Sequence, residues 1–275
     1  MPFINSAQNN DKPIKIYYED LGKGKPVVFI HGWPLSGSMW EYQVTQLPQH
    51  GLRCIIYDRR GFGQSDRPFT GYDYNTLASD LKALLDELNL NGVTLVGFSM
   101  GGGEIAKYFS LYGDARVSKV VLISAVVPFL LQTADNPDGV PAEHFAATQK
   151  AMLDDRPTFL EAFNKDFYGL SMLHQPVSEA YLTNSLNKAM DASPIATVEC
   201  AKSFSSTDFR KDLLKINVPT LIIHGDKDKT VPIKLTGEQS AKIIKGSVLK
   251  VYEGAPHGLW FTDKEKLNQD LIDFI

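Results

Sequence analysis

No stretch of the 275-residue chain is both uncharged and apolar over the length of a membrane span, so nothing in it reads as a transmembrane helix. Cysteine is scarce. Cys54 and Cys200 stand far apart and show neither CxxC nor Cys/His ligand spacing, which argues against a disulfide framework or a zinc site and leaves two small buried hydrophobes. Basic charge is not in excess: 28 Lys and Arg face 32 Asp and Glu, the formal net charge is -4, and no dense Lys/Arg stripe occurs. The attraction on which nucleic-acid binding chiefly depends is missing, and neither nucleic acid nor a membrane is an expected partner. There is no HExxH, no His/Cys cluster and no G-x-G-x-x-G after the first strand; Gly61-Phe62-Gly63 lacks the third glycine and the following helix. A metal-dependent oxidoreductase is therefore not expected, no metal site or cofactor is assigned, and activity should survive chelation. The N-terminus, Met1-Pro2-Phe3-Ile4-Asn5-Ser6, lacks a basic segment followed by an apolar one, so a cytoplasmic protein is expected.

What is present is a chain with 43% hydrophobic and 22% charged residues, enough for a large core with a soluble surface. Short β-rich runs at 14–18, 27–30, 54–57, 93–96, 117–123, 220–223 and 248–252 alternate with helical patterns. From Val27 onward these runs are apolar almost throughout, as strands covered on both faces must be. One covering helix spans 74–88, where Leu77, Leu81, Leu84, Leu85 and Leu88 form one stripe and Asp80, Lys82, Asp86 and Glu87 the opposite face. Further helices are predicted after Ser99, over 235–244 and over about 264–274. The alternation implies an α/β fold with a mostly parallel central sheet. Between the strands at 117–123 and 220–223 the pattern changes to helix-like, aromatic-rich sequence carrying Phe129, Phe145, Phe159, Phe163, Phe167 and Tyr168. This reads as a helical cap inserted at about 128–212 into a single domain covering 1–275.

The most informative segment is Val93-Thr94-Leu95-Val96-Gly97-Phe98-Ser99-Met100-Gly101-Gly102-Gly103, a serine between glycines at a strand-to-helix junction. So sharp a turn brings strand and helix backbones together and holds its central residue strained, which calls for flanking residues without a Cβ. The serine hydroxyl is pushed out at the sheet edge, where the following helix aims its positive end and free N–H groups. A serine is a poor nucleophile until a base takes its proton, and the base needs an acid to orient it. Asp228 in His224-Gly225-Asp226-Lys227-Asp228 and His257 in Ala255-Pro256-His257-Gly258 follow in chain order, each just past a predicted strand. Asp226 competes for the acid role, but its position suits a turn-former bonding nearby N–H groups, and Asp228 is preferred. His50, His144 and His174 have no strand-end context and read as surface or cap residues. An oxyanion needs two preorganised donors. Met100, after the serine, supplies one backbone N–H, and Trp33 in His31-Gly32-Trp33-Pro34 supplies the other. His31 itself reads as a structural hydrogen-bonder, and Asp58-Arg59-Arg60 as a structural ion-pair cluster.

At these residues the sequence resembles the serine α/β-hydrolases, and more narrowly the cofactor-free (non-haem) haloperoxidase, perhydrolase and aryl esterase group. The resemblance covers essentially the whole chain and is carried by His31-Gly32-Trp33-Pro34, Asp58-Arg59-Arg60-Gly61-Phe62-Gly63-Gln64-Ser65, the serine elbow, 163–169 and Ala255-Pro256-His257-Gly258. It implies an α/β-hydrolase fold and a carboxylesterase of small acyl esters. In that chemistry Ser99 attacks, His257 shuttles the proton, Asp228 fixes the imidazole, and water releases the acid. Hydrogen peroxide can replace water in this family, giving a peracid that oxidises bromide away from the protein. By the same resemblance Trp33, Met100, Phe163, Phe167 and Val231 line the acyl pocket, with Leu130 at the cap entrance where an aromatic would be expected. Pro34 matches the more perhydrolytic members and would aim the Trp33 carbonyl at peroxide. The implied partners are a small ester or short carboxylic acid and hydrogen peroxide; members often form homo-oligomers, which leaves the assembly of this chain open. A dehalogenase or epoxide hydrolase would carry Asp at the elbow, so Ser99 excludes it. An acyltransferase or lactamase shares the triad and stays open, as does a non-catalytic scaffold, although no triad member is missing.

Overall fold

A computed structural model describes residues 2–9 and 12–275. The strands are β1 Phe3–Asn9, β2 Lys12–Gly22, β3 Lys25–Ile30, β4 Leu52–Tyr57, β5 Val93–Phe98, β6 Val117–Ile123, β7 Thr220–Gly225 and β8 Val248–Tyr252. They form one sheet in the order β1-β2-β4-β3-β5-β6-β7-β8. From β4 to β8 every pairing is parallel, and β1 and β2 add antiparallel edge strands. The parallel part follows from composition: β5 is buried at all six positions, and a strand with no wet face must have helices on both sides. β1 was not expected. Its sequence, with Asn5 and Ser6 in the middle, carries no run of β-formers, and pairing with β2 holds it in the sheet with an irregularity between Ser6 and Gln8.

The helices are α1 Glu41–Val44, α2 Tyr74–Glu87, α3 Met100–Tyr112, α4 Ala142–Phe167, α5 Glu179–Asp191, α6 Pro194–Ser206, α7 Arg210–Leu213, α8 Gly237–Ile243, α9 Leu259–Thr262 and α10 Lys264–Phe274. α2 starts at Asp73, whose side chain accepts the Thr76 N–H, and buries Leu77, Leu81, Leu84 and Leu85, worth about 2 kcal/mol each. Asp80 corrects the expected polar face: it is buried, clamped by Arg60 Nε and Nη2 at 2.6 Å each and bonded by the Ser6 hydroxyl. A carboxylate can leave water when a bidentate guanidinium replaces its hydration. α8 is shorter than predicted because Leu235 and Thr236 are tied in turns to Pro232 and Ile233.

Helices α4 to α7 occupy the chain between β6 and β7. α4 is two helical pieces in sequence: Asp155 leaves the helical region at φ -154°, ψ 84°, and its carboxylate accepts the Thr158 N–H at 3.1 Å to cap the second piece, which has Pro157 in its first turn. Cys54 and Cys200 are buried, and burial pushes both thiols up to about 12. Among the described residues no helix is long and apolar enough to cross a membrane.

Candidate active site

Ser99 sits between β5 and α3 with φ 51° and ψ -116°, a left-handed conformation that costs a non-glycine residue roughly 1–3 kcal/mol. The surroundings impose it. A Cβ on Gly97 would lie 2.8 Å from the Gly101 carbonyl, and one on Gly101 would lie 2.7 Å from the Ile30 carbonyl of β3. Strand and helix thus meet at van der Waals limits on either side of the serine, and the Ser99 N–H is held by the Ile123 carbonyl at 2.9 Å.

The ends of β7 and β8 bring two more side chains to the same edge. His257 Nε2 lies 3.1 Å from Ser99 Oγ, and His257 Nδ1 lies 2.6 Å from Asp228 Oδ2. All three residues are buried. Asp228 Oδ1 accepts the backbone N–H groups of Thr230 at 3.0 Å and Val231 at 2.7 Å. Burial alone would push this carboxyl up; His257 and the neighbouring His224 outweigh it and hold the group well below the usual carboxylate range. Asp226 is elsewhere: it accepts the Gly254 N–H at 2.7 Å, a turn-forming bond. The order serine, imidazole, carboxylate can therefore move a proton from a hydroxyl to a ring whose cationic form faces a fixed negative charge.

The imidazole is held by more than hydrogen bonds. Phe98 and Phe167 each place a ring centroid 4.8 Å from that of His257, inclined at 44° and 73°. The Gly258 N–H donates to the Phe167 carbonyl at 2.7 Å, tying the end of α4 to the histidine loop. Sequence periodicity carries no sign of Phe98 in this role, because a strand residue before the serine reads simply as core.

The loop after β3 forms the opposite wall. His31 Nε2 accepts the Arg59 backbone N–H at 2.9 Å, so the ring proton sits on Nδ1 and is donated to the Gly32 carbonyl at 2.9 Å. Burial first, and then the Arg59 guanidinium, lowers the His31 pKa well below its usual value, which keeps it a neutral hydrogen-bonder. Arg59 Nη2 also donates to the His31 carbonyl at 2.7 Å, while its guanidinium pairs with Glu104 of α3. One buried ion pair thus links this loop to the helix behind Ser99. Because the Gly32 carbonyl belongs to the peptide that carries the Trp33 N–H, fixing one fixes the other. Among the described residues neither the Trp33 nor the Met100 backbone N–H is taken by an acceptor of the chain. Of Asp58-Arg59-Arg60, the two arginines form ion pairs and Asp58 accepts the Gly37 and Gln64 N–H groups instead.

The expected pocket residues fall on several elements. Trp33 is buried, donates from Nε1 to the Thr197 carbonyl at 2.9 Å, and meets Phe163 at a centroid distance of 5.2 Å; Phe163 meets Phe167 at 5.2 Å. These rings form a continuous aromatic path to His257. Met100 is buried at the start of α3, and Val231 is buried beside the Asp228 carboxylate. Leu130 is buried in the segment after β6, its carbonyl accepting the Val140 N–H at 2.7 Å. His50, His144 and His174 are exposed.

Comparison with known proteins bears on this geometry. The profile of the alpha/beta hydrolase fold family matches residues 25–264. A non-heme chloroperoxidase of Kitasatospora aureofaciens is 43% identical over 95% of this chain and 96% of its own. A bifunctional esterase/perhydrolase of Acinetobacter calcoaceticus is 39% identical over 95% and 96%. The crystal structure of a bromoperoxidase from Bacillus anthracis superposes with a TM-score of 0.95 at 48% identity, covering 99% of this chain and 98% of that one.

Proposed function

Since the chain belongs to the alpha/beta hydrolase fold family, we propose that it is a serine carboxylesterase of the aryl esterase type, hydrolysing small acyl esters and using hydrogen peroxide as an alternative acyl acceptor. The observation that carries this reading is the continuous relay from Ser99 Oγ through His257 to Asp228, with spacings of 3.1 Å and 2.6 Å. In the first half-reaction Ser99 Oγ bonds to the ester carbonyl carbon as its proton passes to His257 Nε2. The new oxyanion faces the Trp33 and Met100 N–H groups, a pair of donors whose positions are set before substrate arrives. The carbon–oxygen bond to the leaving group breaks, and His257 returns its proton to that oxygen. In the second half-reaction water gives a proton to His257 and attacks the acyl-enzyme, releasing the acid and restoring Ser99. With hydrogen peroxide in place of water the same sequence releases a peracid, which oxidises bromide in solution. The names borne by the relatives, chloroperoxidase and esterase/perhydrolase, fit these two outcomes of one acyl-enzyme.

Trp33, Phe163 and Phe167 give the acyl group an apolar wall, with Met100 and Val231 closing it and Leu130 toward the entrance. Helices α4 to α7 serve as the cap over it. The test is the initial rate of phenyl acetate hydrolysis by wild type and Ser99→Ala, with and without hydrogen peroxide. Expected are loss of the rate in Ser99→Ala and, in wild type, diversion of product to peracetic acid. Activity surviving Ser99→Ala would overturn the nucleophile.

A further inference from the structure

His224, at the end of β7, has no part in the steps above although it is fully buried next to them. Its Nε2 has two oxygen neighbours, the Val231 carbonyl at 2.8 Å and Asp228 Oδ2 at 3.3 Å. Both oxygens accept, so the ring proton sits on Nε2, with its shorter bond to Val231 and its positive end also facing the carboxylate. Nδ1 has no partner among the described residues, and a Cβ on Gly237 would come within 2.8 Å of it. The ring is therefore packed against α8 on one side and bonded on the other.

We propose that His224 is a positioning residue for Asp228: by holding Val231 it keeps the 228–231 loop wrapped around the carboxylate, and its N–H faces the same oxygen that receives His257. Each carboxylate oxygen then has two N–H neighbours: Thr230 and Val231 at Oδ1, His257 and His224 at Oδ2. A carboxylate held in this way cannot rotate away from His257 without giving up one of them. The inference rests on the reading of Ser99, His257 and Asp228 as the reacting groups.

The test compares His224→Gln, whose amide nitrogen can reach where Nε2 stands, with His224→Asn, whose amide nitrogen reaches only where Nδ1 stands. Steady-state phenyl acetate kinetics of the whole enzyme are expected to show His224→Gln close to wild type. His224→Asn should lose about tenfold in kcat, the effect of one hydrogen bond in a charged network, with KM unchanged. Gly237→Ala is the second variant. It removes no polar group but displaces the ring, and kcat should fall several-fold at constant KM. Equal kcat in wild type, His224→Asn and Gly237→Ala would overturn the proposal. So would a raised KM at unchanged kcat, which would place the effect in the acyl pocket through Val231. Equal damage in the Gln and Asn variants would also overturn it, since packing alone would then explain the residue. Asp228→Asn and Asp226→Asn in the same assay separate the two readings. Asp228→Asn should lose activity by about ten-thousand-fold and Asp226→Asn almost none. An active Asp228→Asn overturns the triad itself, whereas an inactive one beside a wild-type His224→Asn overturns only the role of His224.

Discussion

At the scale of single residues, a buried histidine that must stay neutral leaves a mark on stability. His31 accepts the Arg59 N–H at Nε2 and is held well below its usual pKa by burial and by the Arg59 charge. The unfolded chain can protonate this ring below about pH 6.5 while the folded chain cannot, so the unfolded state binds more protons there. Stability consequently falls as pH drops below that point, by up to about 1.4 kcal/mol per unit from this residue. Thermal denaturation between about pH 5 and pH 7 should show a lower slope of Tm against pH in His31→Asn than in wild type. Identical slopes would show that the ring takes up a proton in the folded protein. Asp228 has the same sign in a more acidic window. Its depressed carboxyl contributes stability above about pH 4, and that contribution is lost only as pH falls further toward the folded value.

At the scale of elements, function depends on how closely β5, α3 and β3 approach. The limit is set at Gly101, where an added Cβ would press on the Ile30 backbone carbonyl, an atom that cannot swing aside as a flexible side chain can. Gly101→Ala should therefore cost about 2 kcal/mol, read as a fall of several degrees in Tm by scanning calorimetry, together with a loss of esterase rate as the elbow opens. A variant with unchanged Tm would mean that β3 and α3 can part at no cost. The end of α4 is coupled to the same region, because the Phe167 ring packs on His257 and its carbonyl receives the Gly258 N–H. The end of α4 and the histidine loop meet in one piece of packing, which a secondary-structure reading of either element would not reveal.

At the scale of the whole molecule, the parallel sheet collects chemistry at one edge. β3, β5, β7 and β8 end in the Trp33 loop, Ser99, the Asp228 loop and the His257 loop, so the groups of the proposed nucleophile, base, acid and oxyanion donors come from four elements that share one direction. Since the proposed reaction draws all these groups from the protein, phenyl acetate hydrolysis should survive exhaustive dialysis against EDTA. Loss of the rate with recovery on adding a divalent metal would contradict it.

Much of this arrangement was legible along the chain. Apolar runs without alternation marked the parallel strands, and the Gly-x-Ser-x-Gly spacing marked a turn that few sequences can make. Strand-end position separated His257 from the exposed His50, His144 and His174. Those signals are local, arising from steric limits and from the period of a strand or helix, and they determined the fold class and singled out Ser99, His257 and Asp228 as the candidate serine, histidine and acid. Tertiary structure decided the rest. β1 lacks an apolar pattern and exists by pairing with β2; Asp80 sits on the charged face of its own helix yet is buried, because Arg60 and Ser6 reach it from elsewhere. Phe98 and His224 owe their places to rings and carbonyls far away in sequence or behind a turn. Burial and hydrogen bonding at these positions depend on distances between elements, and no period within one element encodes those distances.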